Sequence, residues 1–106
     1  MTVQLPNDPV LRRYRAALDA LYGDKIARIV LFGSRARGDA RPESDYDIAL
    51  FLKELPDRWT ELHRLADLRV RFFDDDVFFD TKPYAADAWF KRTPLMREIR
   101  RDGVPL

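Results

Sequence analysis

The strongest constraint in the sequence is a pair of short apolar segments joined by a polar loop. The first, Ala27–Phe32, is rich in β-branched and apolar residues and ends at Gly33-Ser34. Such a run, bounded by a turn residue, is typical of a strand buried on both faces. Ten mostly polar residues, with a glycine and a proline among them, follow Ser34, and a second apolar segment, Tyr46–Leu52, begins directly after Asp45. The pattern predicts two strands joined by a loop that holds at most a helical turn.

The rest of the chain alternates between helical and strand patterns. Asn7 or Asp8 is positioned to cap a first amphipathic helix that Gly23 ends, and two further helices are predicted at about 57–72 and 94–101. A third strand is expected at Val77–Thr81 and should end before Pro83, because proline cannot donate to a ladder of hydrogen bonds. This order predicts an α/β fold with a small mixed β-sheet packed with helices.

The aromatic residues are numerous for a domain of this size: seven Phe, four Tyr and two Trp. Trp59, Trp89, Phe90 and Tyr84 are expected mostly in the core, with a partner interface as the alternative for Trp89 and Phe90. The single histidine, His63, lies within the second predicted helix, where a surface or packing role is expected and catalysis is not.

Composition narrows the class of protein further. The 106 residues fit one domain over 1–106. A net charge of only +1 argues against stable binding of nucleic acid, which needs a concentrated positive surface. The sequence has no cysteine, so disulfides and thiolate zinc sites are excluded. No stretch approaches the roughly 18 apolar residues of a membrane span, and the first residues lack a signal pattern, so a cytoplasmic protein with no membrane contact is expected.

The turn and the second strand carry the residues suited to phosphate and metal chemistry. Glycine at 33 allows close approach of phosphate oxygens to main-chain N–H groups, and Ser34 adds a hydroxyl donor. Asp45 and Asp47 are two apart, so both carboxylates should point to one face, with Cα atoms about 6.6 Å apart. Two such carboxylates can share one magnesium ion, which prefers hard oxygen ligands. Taken singly, each element also fits a simpler interpretation, an ordinary turn for Gly33-Ser34 and a solvated strand-initiating turn for the aspartates.

The combination of Gly-Ser, ten intervening residues and Asp-x-Asp resembles the signature of the polymerase-β-like nucleotidyltransferase superfamily. The fuller run from Phe32 to Leu50 is similar to its minimal nucleotidyltransferase (MNT) branch, many of whose members are antitoxins. The resemblance implies that Asp45 and Asp47 bind Mg²⁺, with two ions possible. It also implies that ATP or another nucleoside triphosphate is held by residues of the motif: Gly33, Ser34, Arg35, Arg37 and Ser44. For the two arginines, surface solvation is the alternative.

The family also uses a third carboxylate on a strand beside the second one, which usually activates the acceptor hydroxyl. Two residues compete for this role, because Asp76 and Asp80 lie four apart and share one face of the third predicted strand. Asp76 is preferred, as a catalytic and metal-binding residue, because Asp45 and Asp47 sit near a strand start and a convergent partner should also lie near a strand end. A solvated turn is the alternative for Asp74–Asp76.

The resemblance implies transfer of a nucleoside monophosphate, AMP from ATP by preference, to a protein hydroxyl. Stand-alone domains this short are commonly encoded beside a helical HEPN-type RNase toxin, which they silence by adenylylation or by binding. Two alternatives remain open, a non-catalytic antitoxin that only covers its partner and transfer to a small molecule by a homo-oligomer. The sequence identifies neither the base nor the oligomeric state.

Overall fold

The computed structural model describes residues 8–72 and 77–106. Within them, four strands form one sheet: β1 (Ile26–Phe32), β2 (Tyr46–Leu52), β3 (Phe79–Ala85) and β4 (Val104–Pro105). The strand order is β3-β2-β1-β4, in which β1 is antiparallel to both of its neighbours and β2 is parallel to β3. The predicted α/β fold with a small mixed sheet is confirmed.

In the described residues four α-helices accompany the sheet, and three of them begin at a side-chain cap. The helices are α1 (Pro9–Tyr22), α2 (Ser34–Arg37), α3 (Arg58–Val70) and α4 (Pro94–Asp102). Asp8 caps α1 by accepting a hydrogen bond of 3.0 Å from the Leu11 amide, and Asp57 and Thr93 cap α3 and α4 in the same way. Short 3₁₀ segments occupy Gly23–Lys25 and Ala86–Phe90. In the described parts of the chain, no helix has the length and apolar character needed to cross a membrane.

The sheet separates two hydrophobic clusters because successive side chains of a strand point to opposite faces. One face of β2 carries Tyr46, Ile48, Leu50 and Leu52, and these pack in one cluster with the buried residues of α1 and α3. The other face carries Ala49 and Phe51, which pack with residues of α4. The β2 strand is therefore buried on both sides. The second half of β1 is also buried on both sides, as predicted for that strand, because Ile29 and Leu31 belong to the first cluster and Val30 and Phe32 to the second.

The expectation that β3 ends before Pro83 is wrong. The strand begins two residues later than predicted and continues through Pro83, which pairs with Leu50, to Ala85. β3 lies at one edge of the sheet, and an edge strand tolerates proline because only one side of its backbone must donate and accept in the ladder. The short strand β4 was not predicted at all.

The core assignment of two aromatic residues is also wrong, since Trp59 and Phe90 are 74% and 75% exposed. The second predicted helix has two apolar stripes at helical spacing. The stripe that contains Leu65 and Leu68 packs against the sheet, whereas the stripe that contains Trp59 faces outward. Two further aromatic residues, Trp89 and Tyr84, pack at the second core cluster against Phe51 as expected.

One polar interaction lies inside the first core cluster and links α1 to β3. The Tyr14 hydroxyl and Thr81 Oγ1 are hydrogen-bonded, and Thr81 is buried. Burial raises the pKa of Tyr14 to about 12, so its hydroxyl stays protonated at neutral pH. The Tyr14 ring stacks on Phe79 at a centroid distance of 3.9 Å.

We predict that Tyr14→Phe lowers the free energy of unfolding by about 1–3 kcal/mol, because it leaves the buried Thr81 hydroxyl without its partner. The double variant Tyr14→Phe/Thr81→Val should cost less than the sum of the two single variants, since it removes both polar groups. Urea denaturation of the four proteins measures this coupling. Additive losses would show that the hydrogen bond contributes nothing.

Candidate active site

The end of β1 brings the main chain against the carboxylate of Asp47. Gly33 follows β1, is buried and has a φ of +74°, a region that favours glycine. A Cβ at this position would collide with Oδ2 of Asp47 and lie 3.2 Å from its Cγ. Glycine is therefore required at 33 both by the backbone conformation and by the close approach to Asp47.

Asp47 sits between residues of the two neighbouring strands at one end of the sheet. It pairs with Phe32 of β1 on one side and with Asp80 of β3 on the other. Adjacent strands lie about 4.8 Å apart, and side chains at paired positions point to the same face. The pairing therefore brings the Asp47 and Asp80 carboxylates together on the face that also carries α4.

The electrostatics of the site follow from this crowding of negative charge. The pKa of Asp47 is raised above its ordinary value, first by burial and then by the charges of Asp80 and Asp45. Lys82 opposes this shift, and Glu98 of α4 adds to it. Ionisation of the clustered carboxylates is therefore unfavourable unless a cation binds between them.

The predicted site carboxylates differ in where they lie. Asp45 is exposed and directly precedes β2, whereas Asp47 is half-buried. Asp76 lies outside the described residues, so its predicted role remains a prediction. Asp80 lies on β3, half-buried, with its Oδ2 3.9 Å from the Lys82 ammonium.

The donor set fits a divalent cation that is shared with a substrate. Among residues 8–72 and 77–106, no three metal-ligating side chains stand close enough to chelate an ion by themselves. Magnesium is commonly bound by one or two carboxylates together with waters and substrate phosphates, and it does not require an all-protein cage. Asp45 and Asp47, with Asp80 next to Asp47, offer carboxylate oxygens of the required kind.

The predicted phosphate-binding residues have different partners. Ser34 is the first residue of α2, so its main chain lies at a helix N-terminus. Arg37 is exposed, and its ion pairs are long, 3.4 Å to Asp39 and 3.8 Å to Glu98. Ser44 accepts a hydrogen bond of 2.9 Å from the Arg41 amide within the loop.

Arg35 bonds to the same loop. Its Nε and Nη2 donate to the Ser44 carbonyl at 3.2 and 2.8 Å, and Nη2 also donates to the Pro42 carbonyl at 3.1 Å. The structure thus brings Gly33, Asp47 and Asp80 together and engages Arg35 with the loop.

Sequence reasoning missed two charged neighbours of the carboxylates. Lys82 follows Asp80 by two residues, so the strand period could have placed the two on one face. Glu98 comes from α4, and no sequence signal relates this helix to the aspartates.

Comparison with known proteins identifies the family to which the chain belongs. A family model described as the nucleotidyltransferase domain matches residues 11–95. The chain therefore belongs to the nucleotidyltransferase family, as its resemblance to the minimal branch implied.

Two similar proteins of Methanocaldococcus jannaschii are provisionally named protein adenylyltransferases. The first is 38% identical over 47 residues, which are 44% of this chain and 48% of the relative. The second is 42% identical over 52 residues, which are 48% of this chain and 35% of the relative. The chain thus spans half or less of the length of these relatives.

Solved structures share the fold at low sequence identity. A toxin–antitoxin crystal structure with AMP-PNP superposes with a TM-score of 0.56 at 22% identity, covering 88% of this chain and 69% of that chain. A provisionally named nucleotidyltransferase of Sulfolobus solfataricus superposes with a TM-score of 0.55 at 18% identity, covering 91% and 75%. These similarities confirm the polymerase-β-like fold.

We predict that Gly33→Ala destabilises the protein by about 1–3 kcal/mol more than Gly23→Ala does. Gly23 is a matched control because its φ is also positive, at +56°, whereas a Cβ there meets nothing within 4 Å. Both variants strain the backbone, but only Gly33→Ala displaces the Asp47 carboxylate. Thermal unfolding of the two variants measures the difference, and equal losses would refute the close contact.

Proposed function

We propose that this protein is a Mg²⁺-dependent nucleotidyltransferase that transfers AMP from ATP to a hydroxyl of a protein. The observation that supports this most strongly is the pairing of Asp47 with Asp80 on one side while its carboxylate abuts Gly33 on the other. Carboxylates of the kind that bind magnesium thus lie beside a glycine turn with no side chain to block a phosphate, which supports the proposal. Two relatives are named as protein adenylyltransferases, and one structural neighbour contains AMP-PNP, which supports adenylate as the transferred group. We place the activity in the cytoplasm, where ATP is supplied.

The reaction forms one bond and breaks one at the α-phosphorus. The acceptor oxygen attacks the α-phosphorus, the bond to the bridging oxygen breaks, and pyrophosphate leaves with that electron pair. Asp45 and Asp47 would hold magnesium, which when bound would neutralise the charge that develops on the phosphates. Gly33 admits the triphosphate to the main chain at the start of α2, and Ser34 donates its hydroxyl to a phosphate oxygen. Arg37, whose ion pairs are loose and solvated, is free to exchange them for phosphate oxygens.

We assign the third carboxylate to Asp80. Its position in register with Asp47 on the neighbouring parallel strand favours it, because two paired residues point to the same face. In this position it accepts the proton of the acceptor hydroxyl during attack. Asp76, the residue preferred from sequence, is the competing candidate that the experiment below separates.

The acceptor that we propose belongs to a helical HEPN-type toxin encoded nearby. Two toxin–antitoxin structures have this fold, one of them containing AMP-PNP. The exposed rings of Trp59 and Phe90 offer apolar surface for a protein partner. Neutralisation by binding alone, or transfer to a small molecule, would leave the partner's mass unchanged.

We predict that a substoichiometric amount of this protein, with ATP and Mg²⁺, inactivates an excess of the toxin and raises its mass by one or more adenylate units. Asp80→Asn should slow transfer by about 10²-fold or more while triphosphate binding changes little, because the lost group acts on the acceptor proton. Intact mass spectrometry of the toxin over time measures both.

Two variants serve as controls. Asp67→Asn removes an exposed carboxylate from α3, on the opposite face of the sheet, and should transfer at the wild-type rate. Asp76→Asn should also retain transfer. If Asp76→Asn is inactive and Asp80→Asn behaves as wild type, the assignment is reversed, and protection that needs stoichiometric protein with no mass change would replace the enzyme by a binding antitoxin.

A further inference from the structure

Arg35 directs most of its hydrogen-bonding capacity into the loop that precedes Asp45. Nε and Nη2 carry three N–H groups, and their acceptors are the carbonyls of Ser44 and Pro42. The Ser44 carbonyl belongs to the peptide bond that leads directly into Asp45. A guanidinium bound to two carbonyls of one loop restricts the conformation of that loop.

The same guanidinium packs on Tyr46, which lies between the two metal-binding aspartates. Its carbon lies 4.4 Å from the centroid of the Tyr46 ring. The Tyr46 hydroxyl donates a hydrogen bond of 2.6 Å to Oδ2 of Asp8, the residue that caps α1. Burial, followed by the nearby Asp8 carboxylate, raises the pKa of Tyr46 to about 12, so this donor is retained at neutral pH.

Tyr46 also contacts the strand that carries Asp80. Its ring stacks on Phe79 at a centroid distance of 4.9 Å, and its amide donates to the Phe78 carbonyl at 2.8 Å. Phe79 is the residue before Asp80. Tyr46 therefore joins α1, α2 and β3 on the face of the sheet opposite the Asp47 and Asp80 carboxylates.

We propose that Arg35 is a positioning residue that locks the loop ahead of Asp45 and the Tyr46 ring in place, and that it is not a ligand of the triphosphate. The role of the positioned carboxylates rests on the proposed function, but the locking of the loop does not. Side-on pairing with a phosphate needs Nε together with Nη2, and both already bind loop carbonyls. The two arginines that follow Ser34 therefore have different surroundings. Arg35 binds the loop, whereas Arg37 is exposed to solvent near the site.

The test is limited proteolysis of Arg35→Lys and Arg35→Gln without metal or nucleotide, combined with steady-state kinetics. Glu-C protease cleaves after Glu43, an exposed residue within the locked loop. We expect both variants to be cut there about tenfold faster than wild type, because proteolysis follows the population of open loop. Lysine keeps the charge but cannot bind two carbonyls in one plane. In the transfer assay kcat should fall about tenfold, with KM for ATP within about threefold of wild type.

Arg28→Gln is the matched control, because Arg28 also stacks on an aromatic ring, at 3.8 Å from the centroid of Trp89. It lies near the start of β1, at the end of the strand remote from Asp47. This variant should change stability without altering cleavage after Glu43 or kcat.

Unchanged cleavage after Glu43 in both Arg35 variants would overturn the proposal, as would a rise in KM with kcat intact, which is the signature of a lost phosphate ligand. If Arg35→Gln does not fold, the cleavage rate and the kinetics of Arg35→Lys alone decide whether Arg35 positions the loop. A protein without any transferase activity would refute the proposed function, whereas the cleavage result would still decide the role of Arg35.

Discussion

The placement of Asp47 on the central strand β2 is the constraint on which the site depends. Its carboxylate abuts the main chain of Gly33 on the β1 side, and Asp80 occupies the paired position on the β3 side. A shift of one residue in the β1–β2 pairing would turn Asp47 to the opposite face of the sheet, into the core that contains Tyr46 and Ile48. A shift of one residue in the β2–β3 pairing would do the same to Asp80. The two hydrophobic clusters that fix the register of the sheet therefore also fix the geometry of the site.

This arrangement has an electrostatic cost that the fold must offset. The raised pKa of Asp47 means that its ionised form is less favourable in the folded chain than in the unfolded one. Between the ordinary pKa and the raised one, the folded state binds more protons, so stability falls as pH rises through this window. Burial of β2 on both faces supplies the opposing stabilisation, and a cation shared by the carboxylates would remove much of the cost.

Much of the fold could be predicted from local patterns. The bounds of β2, the caps Asp8 and Asp57 and the end of α1 at Gly23 follow from periodicity and capping chemistry. The continuation of β3 through Pro83 could not be predicted, because it depends on β3 lying at the sheet edge. The two-residue strand β4 likewise forms only by pairing with the distant β1.

The sequence predicted which residues of the motif belong to the candidate site, but it did not predict how the carboxylates are arranged in space. Spacing identified Gly33 and the Asp45–Asp47 pair, since both features lie in one continuous run of sequence. The relation of Asp80 to Asp47 depends on which strands are neighbours and in which register, and sequence order does not contain that information. The contacts of Arg35 with the loop could not be predicted from the sequence either, because a guanidinium can bind both carbonyl and phosphate oxygens.

The central claim, that these carboxylates form a cation-dependent nucleotide site, is tested most directly by thermal unfolding with Mg²⁺ and a nonhydrolysable ATP analogue. A ligand bound only by the folded state stabilises it by mass action, so the two together should raise Tm by more than the sum of either alone. Asp47→Asn at pH 7 should lose this synergy while its ligand-free Tm equals or exceeds that of wild type, because the substitution removes a costly charge. A full synergistic shift in Asp47→Asn would contradict the account.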